Sequence, residues 1–441
     1  MGKMFKKLLL LGGDILFLHL ALLLTLMFRY PDERVFSIYA MHWPDFAFVF
    51  LIWIVVFYIL SLYNLNIKVS DLKFVKLAVN AIVVSSVLSV IYFYMVVQPA
   101  VTPKTNLAIF IGIYTILFVG WRVSYLSLIV RVMPPVNLAI IGYNKFTENL
   151  LEELKKNPGS AYTPILIFRD PRRLDNLTGS ITENMVKAIV VCDDFGESDR
   201  METALFSCLP YNVDFFNYPD FYEMITGKIP VEAIGQNWFL ENLKEGQKIN
   251  YHRLKRFLDV TLACIILLVT LPFYLLIGLA IKMTSTGPVF FRQVRVGKNE
   301  KEYVMLKFRT MRTTANDGTP TEKNDKRITR VGIFLRKTRL DEIPQVFNIL
   351  KGDMSFIGPR PERPEIILEL ERHIPFYKTR LLIKPGLTGW DQISGNYHSP
   401  SVVDTMEKLQ HDLYYLKHRS LSLDLSITLK TVATVIFHEG R

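Results

Sequence analysis

Five long apolar runs decide most of what this 441-residue chain can become. Four come first, at 8–28, 46–63, 77–97 and 107–130, each long enough or nearly so to cross a hydrocarbon core of about 30 Å as a helix. They explain why half of the residues are hydrophobic better than a large soluble core would. Basic residues mark the cytoplasmic ends under the positive-inside rule: Lys3, Lys6 and Lys7 before the first run, Lys68, Lys73 and Lys76 after the second, and Arg122 and Arg131 at the end of the fourth. The opposite loops carry Arg29, Arg34 and Lys104 with Asp32, Glu33 and Asp45 beside them. Everything after Arg131 is therefore expected in the cytoplasm. Asp14 and His19 lie inside the first run. Near a helix end, Asp14 reads as a packing or snorkelling residue rather than a functional one. No small-residue cleavage site follows the first run, so no cleaved signal peptide is expected.

The fifth run, 260–281, is uncharged for 22 residues and could span. Its flanks argue otherwise. Arg253, Lys255 and Arg256 precede it and Lys282 and Arg292 follow, so the same charge rule places both ends on the cytoplasmic side. Pro272 sits mid-run, removes a backbone donor and breaks the helix, and Thr270 can re-satisfy freed backbone groups. The expectation is a re-entrant helix–break–helix. From 251 to 312, basic residues outnumber acidic ones eleven to three, within a chain of net charge +11. Such a patch suits an anionic membrane face or phosphate-bearing substrates. The apolar runs argue against nucleic acid as the partner. Cys192, Cys208 and Cys264 have neither metal-ligand spacing nor a disulfide framework.

Between the fourth and fifth runs the pattern changes to alternating strands and helices. Strands are expected at 136–141, 163–168, 188–192 and 213–216, with an amphipathic helix at 146–155, which implies a parallel sheet. Gly142 stands nearly alone in the first turn, where a dinucleotide fingerprint would need three glycines, so a structural or regulatory role is favoured over nucleotide binding. The stretch 227–240 reads as an extended arm and a candidate homodimer contact. Beyond the fifth run, a hairpin is expected from 289–296 and 303–311, and helices at 402–419 and 423–437. The last of these belongs either to the core or on the membrane surface.

The chemistry concentrates between Arg336 and Glu362. Asp341-Glu342 precedes the short apolar run 343–350, with Pro344 suited to a first helical turn, so Asp341 reads as a helix N-cap beside an anion-attracting helix start. Gly352 ends that helix. Pro359 and Pro361 restrict the backbone around Arg360 and present its planar fork for bidentate phosphate binding. An Asp-Glu pair alone is most often a solvated helix start. The whole constellation of carboxylates and guanidinium reads instead as metal-assisted phosphoryl chemistry.

Asp341-Glu342, Lys351-Gly-Asp-Met-Ser355, Gly358-Pro-Arg-Pro361 and Lys384-Pro-Gly-Leu-Thr-Gly-Trp390 together resemble the bacterial sugar transferases, the monotopic phosphoglycosyl transferases that move a hexose 1-phosphate onto a polyprenyl phosphate. The resemblance runs from about Lys255 onward. The upstream layout looks like the large members, and it implies a membrane protein of four parts. These are four transmembrane helices (1–131), a Rossmann-like α/β domain with its linker arm (132–250), a re-entrant membrane helix (251–286) and a mainly α catalytic domain (287–441). By that resemblance the substrates are a UDP-sugar and undecaprenyl phosphate, at the cytoplasmic face of the bacterial inner membrane. Asp341 matches the nucleophile and Glu342 its dyad partner, and these two would hold Mg²⁺. Arg336, Arg360 and Asp412 match substrate- or phosphate-binding positions. Asp391 and His411 depart from the usual pattern. A membrane-linked nucleotide-sugar oxidoreductase is the rival enzyme class. It rests on Tyr303-x-x-x-Lys307 and lacks a glycine fingerprint. A non-catalytic scaffold is the rival outside enzymes, and the intact dyad argues against it.

Overall fold

The computed structural model describes residues 2–31, 35–65, 72–95, 103–132, 134–157, 161–170, 174, 176–192, 199–243, 245–312, 325–394 and 401–437. Asp32, Glu33, Arg34 and Lys68, used in the charge reading, lie outside these. The side chains of Lys3, Lys73, Lys104 and Arg131 are likewise outside the described set. The chain divides into two compact units, Met1–Thr226 and Gly227–Arg441. The arm that begins at Gly227 packs with the elements C-terminal to it.

The first unit opens with the four apolar helices, α1 (Gly2–Arg29), α2 (Val35–Ile59), α3 (Leu72–Met95) and α4 (Pro103–Val132). With the helix Ile249–Thr284 (α10) of the second unit they make five helices, among the described residues, long and apolar enough to cross a membrane, and the chain is a membrane protein. Aromatic rings fill the contact between α2 and α4. Trp53 meets Tyr114 edge-on at 5.0 Å, and Phe57 meets Phe118 at 5.2 Å, geometries that add to simple burial. Between α1 and α4 lies a fully buried ion pair, Arg122 to Asp14 at 2.7 Å. Of the two readings open for Asp14, packing holds and snorkelling does not, and Arg122 is an interior residue rather than a marker of the helix end. A charge in an apolar medium is tolerated when a partner on a neighbouring helix neutralises it.

Then come β1 (Val136–Ile141), α5 (Lys145–Lys156), β2 (Tyr162–Phe168), α6 (Leu177–Glu183), β3 (Ala188–Val191), α7 (Asp199–Phe206), β4 (Asp214–Asn217) and α8 (Tyr218–Thr226). The four strands form one all-parallel sheet in the order β2-β1-β3-β4. The central strands are buried on both faces, as a helix-covered parallel sheet requires. Asn144 closes the crevice between the ends of β1 and β3. Its side chain accepts from the amides of Phe146 and Thr147 and donates to the Cys192 carbonyl at 2.8 Å.

The second unit begins with the arm. Ile229 and Val231 are fully buried in the core of this same unit, and Ile229 donates to the Gln410 carbonyl. After α9 (Gln236–Asn242) comes α10 (Ile249–Thr284), which carries the fifth apolar run. Helix is continuous through Pro272, so the expected break in helical structure is absent. Thr270 donates to Ile266, not to the Leu268 carbonyl that Pro272 frees. The hairpin of β5 (Phe290–Val296) and β6 (Glu302–Phe308) follows, then α11 (Arg330–Lys337), α12 (Gln345–Lys351), β7 (Ser355–Ile357), α13 (Pro364–Glu371), β8 (Gly386–Thr388), α14 (Val402–His418) and α15 (Leu421–Phe437). Strands β7 and β8 pair in parallel so closely that a Cβ on Gly386 would lie 2.1 Å from the Gly358 nitrogen. Helix α15 belongs to the core. Its Ile427 is fully buried, and Asp424 accepts from Tyr415, Tyr251 and Lys255 at 2.7–3.0 Å.

Candidate active site

Asp341 lies on a tight turn, Leu340–Glu342, entered through Arg339 in the left-handed region at φ 57. A non-glycine residue there costs on the order of 1–3 kcal/mol, a strain that recurs at functional sites. Helix α12 starts only at Gln345, with Pro344 in the cap position. Asp341 is therefore not its N-cap. The amides of Glu342, Ile343, Val346 and Phe347 already donate to carbonyls three residues back, so the helix start offers fewer free donors than the sequence suggests. Gly352 does end the helix, at φ 94.

The turn is held from two sides. The buried Asn348 donates to the Val304 carbonyl at 2.7 Å and accepts from the Leu306 amide at 3.1 Å, stapling α12 to β6. That register brings Lys307 of β6 to Glu342 at 2.7 Å. On the other side, Gly332 of α11 sits against the backbone of Thr310, where a Cβ would meet the carbonyl oxygen at 2.1 Å. This close approach lets Arg336 donate to the Thr310 hydroxyl at 2.9 Å and places its charge beside Asp341.

The two carboxylates are driven apart electrostatically. Burial, and then the charge of Glu342, push Asp341 above the ordinary carboxylate range, against the opposing charges of Lys307, Arg336 and Arg339. Burial also acts to raise Glu342, but Lys307, Arg360 and Arg339 together outweigh it and hold that group at about 2. Glu342 is thus a fixed anion already paired with Lys307. Asp341 is 8% exposed, and its Oδ1 has no hydrogen-bond partner among the described residues. An orphaned buried carboxylate oxygen ringed by cations has unused capacity to accept an electrophile or a cation.

Of the residues singled out from sequence, Asp341, Glu342, Arg336 and Arg360 fall in one electrostatic neighbourhood. Asp412 does not share it. It lies on α14, buried, ion-paired to Arg380 at 2.8 Å. Burial pushes its carboxyl up to about 7 despite that partner, with Asp391 adding to the rise. Asp391 in turn lies 3.5 Å from His411, so the two departures from the family pattern meet in space. Lys307 and Arg339 were missed as site residues. In the sequence Lys307 stands out only as one of the eleven basic residues of 251–312 and through the Tyr303-x-x-x-Lys307 spacing. On a strand, four residues put those side chains about 13 Å apart, and Lys307 is engaged with Glu342, so that match has no oxidoreductase geometry.

Replacing Lys307 by Met removes the hydrogen-bonded cation and leaves Arg360 and Arg339 alone to offset Glu342, and is expected to lower stability by about 1–3 kcal/mol at neutral pH. The sign follows from linkage. A carboxylate held at about 2 against 4.5 unfolded stabilises above 4.5, and that contribution disappears as pH falls toward 2. Thermal unfolding across that range should show the wild type losing its advantage over Lys307→Met. Equal melting temperatures at neutral pH would contradict the assignment.

The family model described as bacterial sugar transferase matches residues 250–438. Over 261 residues the chain is 36% identical to a UDP-N-acetylgalactosamine-undecaprenyl-phosphate N-acetylgalactosaminephosphotransferase of Aeromonas hydrophila, covering 58% of this chain and 60% of that protein. It is 34% identical over 321 residues to a UDP-glucose:undecaprenyl-phosphate glucose-1-phosphate transferase of Xanthomonas campestris pv. campestris, covering 68% and 66%. The chain thus spans less than two thirds of the length of these two relatives. An enzyme of Caulobacter vibrioides bearing the same name is 40% identical over 185 residues, 41% of this chain and 69% of that protein. With the dyad, the arginines and the hairpin lysine all inside the matched region, the chain belongs to the bacterial sugar transferase family.

Proposed function

We propose that this chain transfers a hexose 1-phosphate from a UDP-sugar to undecaprenyl phosphate, releasing UMP and starting a surface polysaccharide such as an exopolysaccharide, capsule or O-antigen. The observation that carries the reading is the buried, unpartnered Oδ1 of Asp341 beside Lys307, Arg336 and Arg339. In this account Asp341 attacks the β-phosphorus of the UDP-sugar. The bond from that phosphorus to the bridging oxygen breaks, UMP leaves, and the sugar phosphate stays on the enzyme as an acyl phosphate. An oxygen of undecaprenyl phosphate then attacks the same phosphorus and frees the Asp341 carboxylate. A carboxylate is a feasible nucleophile toward phosphorus when cations offset the repelling oxygens, and Arg336, Arg339 and Arg360 supply that offset. Glu342 keeps its charge throughout, which favours cation binding over proton transfer. Two carboxylates suit Mg²⁺, which takes one or two from protein and fills its shell with water and substrate phosphates. No larger group of metal-ligating side chains exists among the described residues. When bound, Mg²⁺ would supply charge neutralisation to the diphosphate at Asp341 and Glu342.

Two chemically different substrates also need a site at headgroup depth. We infer that α10 enters and leaves by the cytoplasmic face of the inner membrane. Its first half packs on α12 and β7 through Ala263, Ile266 and Leu267, with Arg256 donating to the Ile349 and Leu350 carbonyls at 2.6 and 2.7 Å. Its second half packs on β6 and α11 through Tyr274, Ile277 and Ile281, and Arg309 closes the end on Ser285. Contact from Arg256 to Ile281 covers about 38 Å of helix. A helix bound to one polar domain along that length cannot cross a bilayer without drawing the domain in. Its other face is apolar and exposed, including Leu268, Leu275 and Met283.

Asp341→Asn should abolish UMP release from UDP-sugar, acceptor present or not. Because Asp341 caps no helix, melting temperature should stay within a few degrees of wild type. Turnover by that variant would exclude Asp341 as the nucleophile. For the membrane anchor, a cysteine in place of Gly287 should resist a membrane-impermeant thiol reagent added to intact cells and react in inside-out vesicles. Labelling in intact cells would show that the helix crosses.

A further inference from the structure

We propose that Arg380 and Arg295 are positioning residues for Arg360, and that Asp412 acts through Arg380 rather than on substrate; this rests on the transferase reading above. The segment Pro359–Glu362 cannot pair as an ordinary strand, because two of its residues have no amide hydrogen. Yet each of its four carbonyls accepts a hydrogen bond. Pro359 accepts from the Gly386 amide at 2.9 Å and Glu362 from the Val296 amide at 3.0 Å. The two between them are taken by guanidinium groups. Arg360 accepts from Arg380 Nη2 at 3.0 Å, and Pro361 accepts from Arg295 Nη1 at 3.0 Å.

These donors come from separate elements, Arg380 from the turn Tyr377–Leu382 and Arg295 from β5. Each is itself fixed. Arg380 donates to the Tyr377 hydroxyl at 2.7 Å and pairs with Asp412, both side chains being 4% exposed. Arg295 donates to Gln293 at 2.7 Å and lies 3.6 Å from Glu362. Arg360 itself is exposed, and its charge reaches Glu342. The prolines remove backbone freedom on either side of Arg360. The buried Arg380 and the half-buried Arg295 then set where that stiff segment lies relative to the dyad. Asp412, from α14, neutralises the guanidinium that must be buried to do this, which accounts for a buried carboxylate lying outside the dyad's neighbourhood.

The test is a double-mutant cycle on the full-length protein in membranes, read as kcat/KM for the UDP-sugar by UMP release. Arg380→Met is expected to lower it roughly 10- to 100-fold, the range typical of residues that orient a working group. In an Arg360→Lys background, which keeps the charge but lacks the fork, the same change should cost less than about twofold more. Additive losses would overturn the proposal. Arg380→Met/Asp412→Leu removes the unpaired carboxylate, so its melting temperature should recover while kcat/KM stays low. Activity recovering together with stability would reduce the pair to a structural role and overturn the proposal. Asp412→Asn should retain measurable turnover, and a loss as complete as that of Asp341→Asn would place Asp412 on the substrate instead. A wild-type chain that releases no UMP from any UDP-sugar would overturn the transferase reading itself, a different result from additive losses in an active enzyme.

Discussion

Two carboxylates side by side and largely out of water repel each other, and much of the second unit serves to hold that repulsion. The ion pair of Lys307 with Glu342 is the central element. It fixes one member of the pair as an anion, and burial together with that anion raises the other. The pair exists because β6 and α12 are stapled by Asn348, because α11 sits close enough on Thr310 to bring Arg336 in, and because Arg339 accepts a left-handed conformation to turn the chain. These contacts are local in space but come from residues up to forty-four apart in sequence.

The proposed reaction sets a second constraint, one substrate in water and the other in lipid. Helix α10 is the element that answers it. One face packs along the catalytic core from α12 to α11, and the other presents a continuous apolar surface. The site thereby stays attached to whatever α10 is embedded in. The basic residues that flank the apolar run serve two ends. Arg256 caps the α12 carbonyls and Lys255 pairs with Asp424 of α15, so charge that reads as membrane-facing also ties the helix to its own domain.

Much of the architecture was legible because it rests on periodicity and composition. Apolar runs announce membrane helices, and the alternating strands after β1 announce a parallel sheet almost to the residue. The Asp341-Glu342 pair and Arg360 stand out in the sequence as candidates because their neighbours, Pro344, Pro359 and Pro361, are unusual. Lys307 was not. A lysine on an amphipathic strand has no local signature, and only the hairpin register delivers it to Glu342. The pairing of Arg122 with Asp14 was not legible for a related reason: a charge at a run's end and a charge inside another run look unrelated until α1 and α4 pack together. Asp412 was legible as a position, while its partner Arg380 depends on a turn that no periodicity marks.

The central claim is that Asp341 forms a covalent bond to the transferred phosphate. Mass analysis of peptides from enzyme given UDP-sugar alone, quenched in acid within the first turnover, tests it most directly. The account predicts a hexose-phosphate adduct on the peptide carrying Asp341, formed with one equivalent of UMP and discharged when undecaprenyl phosphate is added. UMP appearing only when both substrates are present, with no adduct at any time, would contradict it.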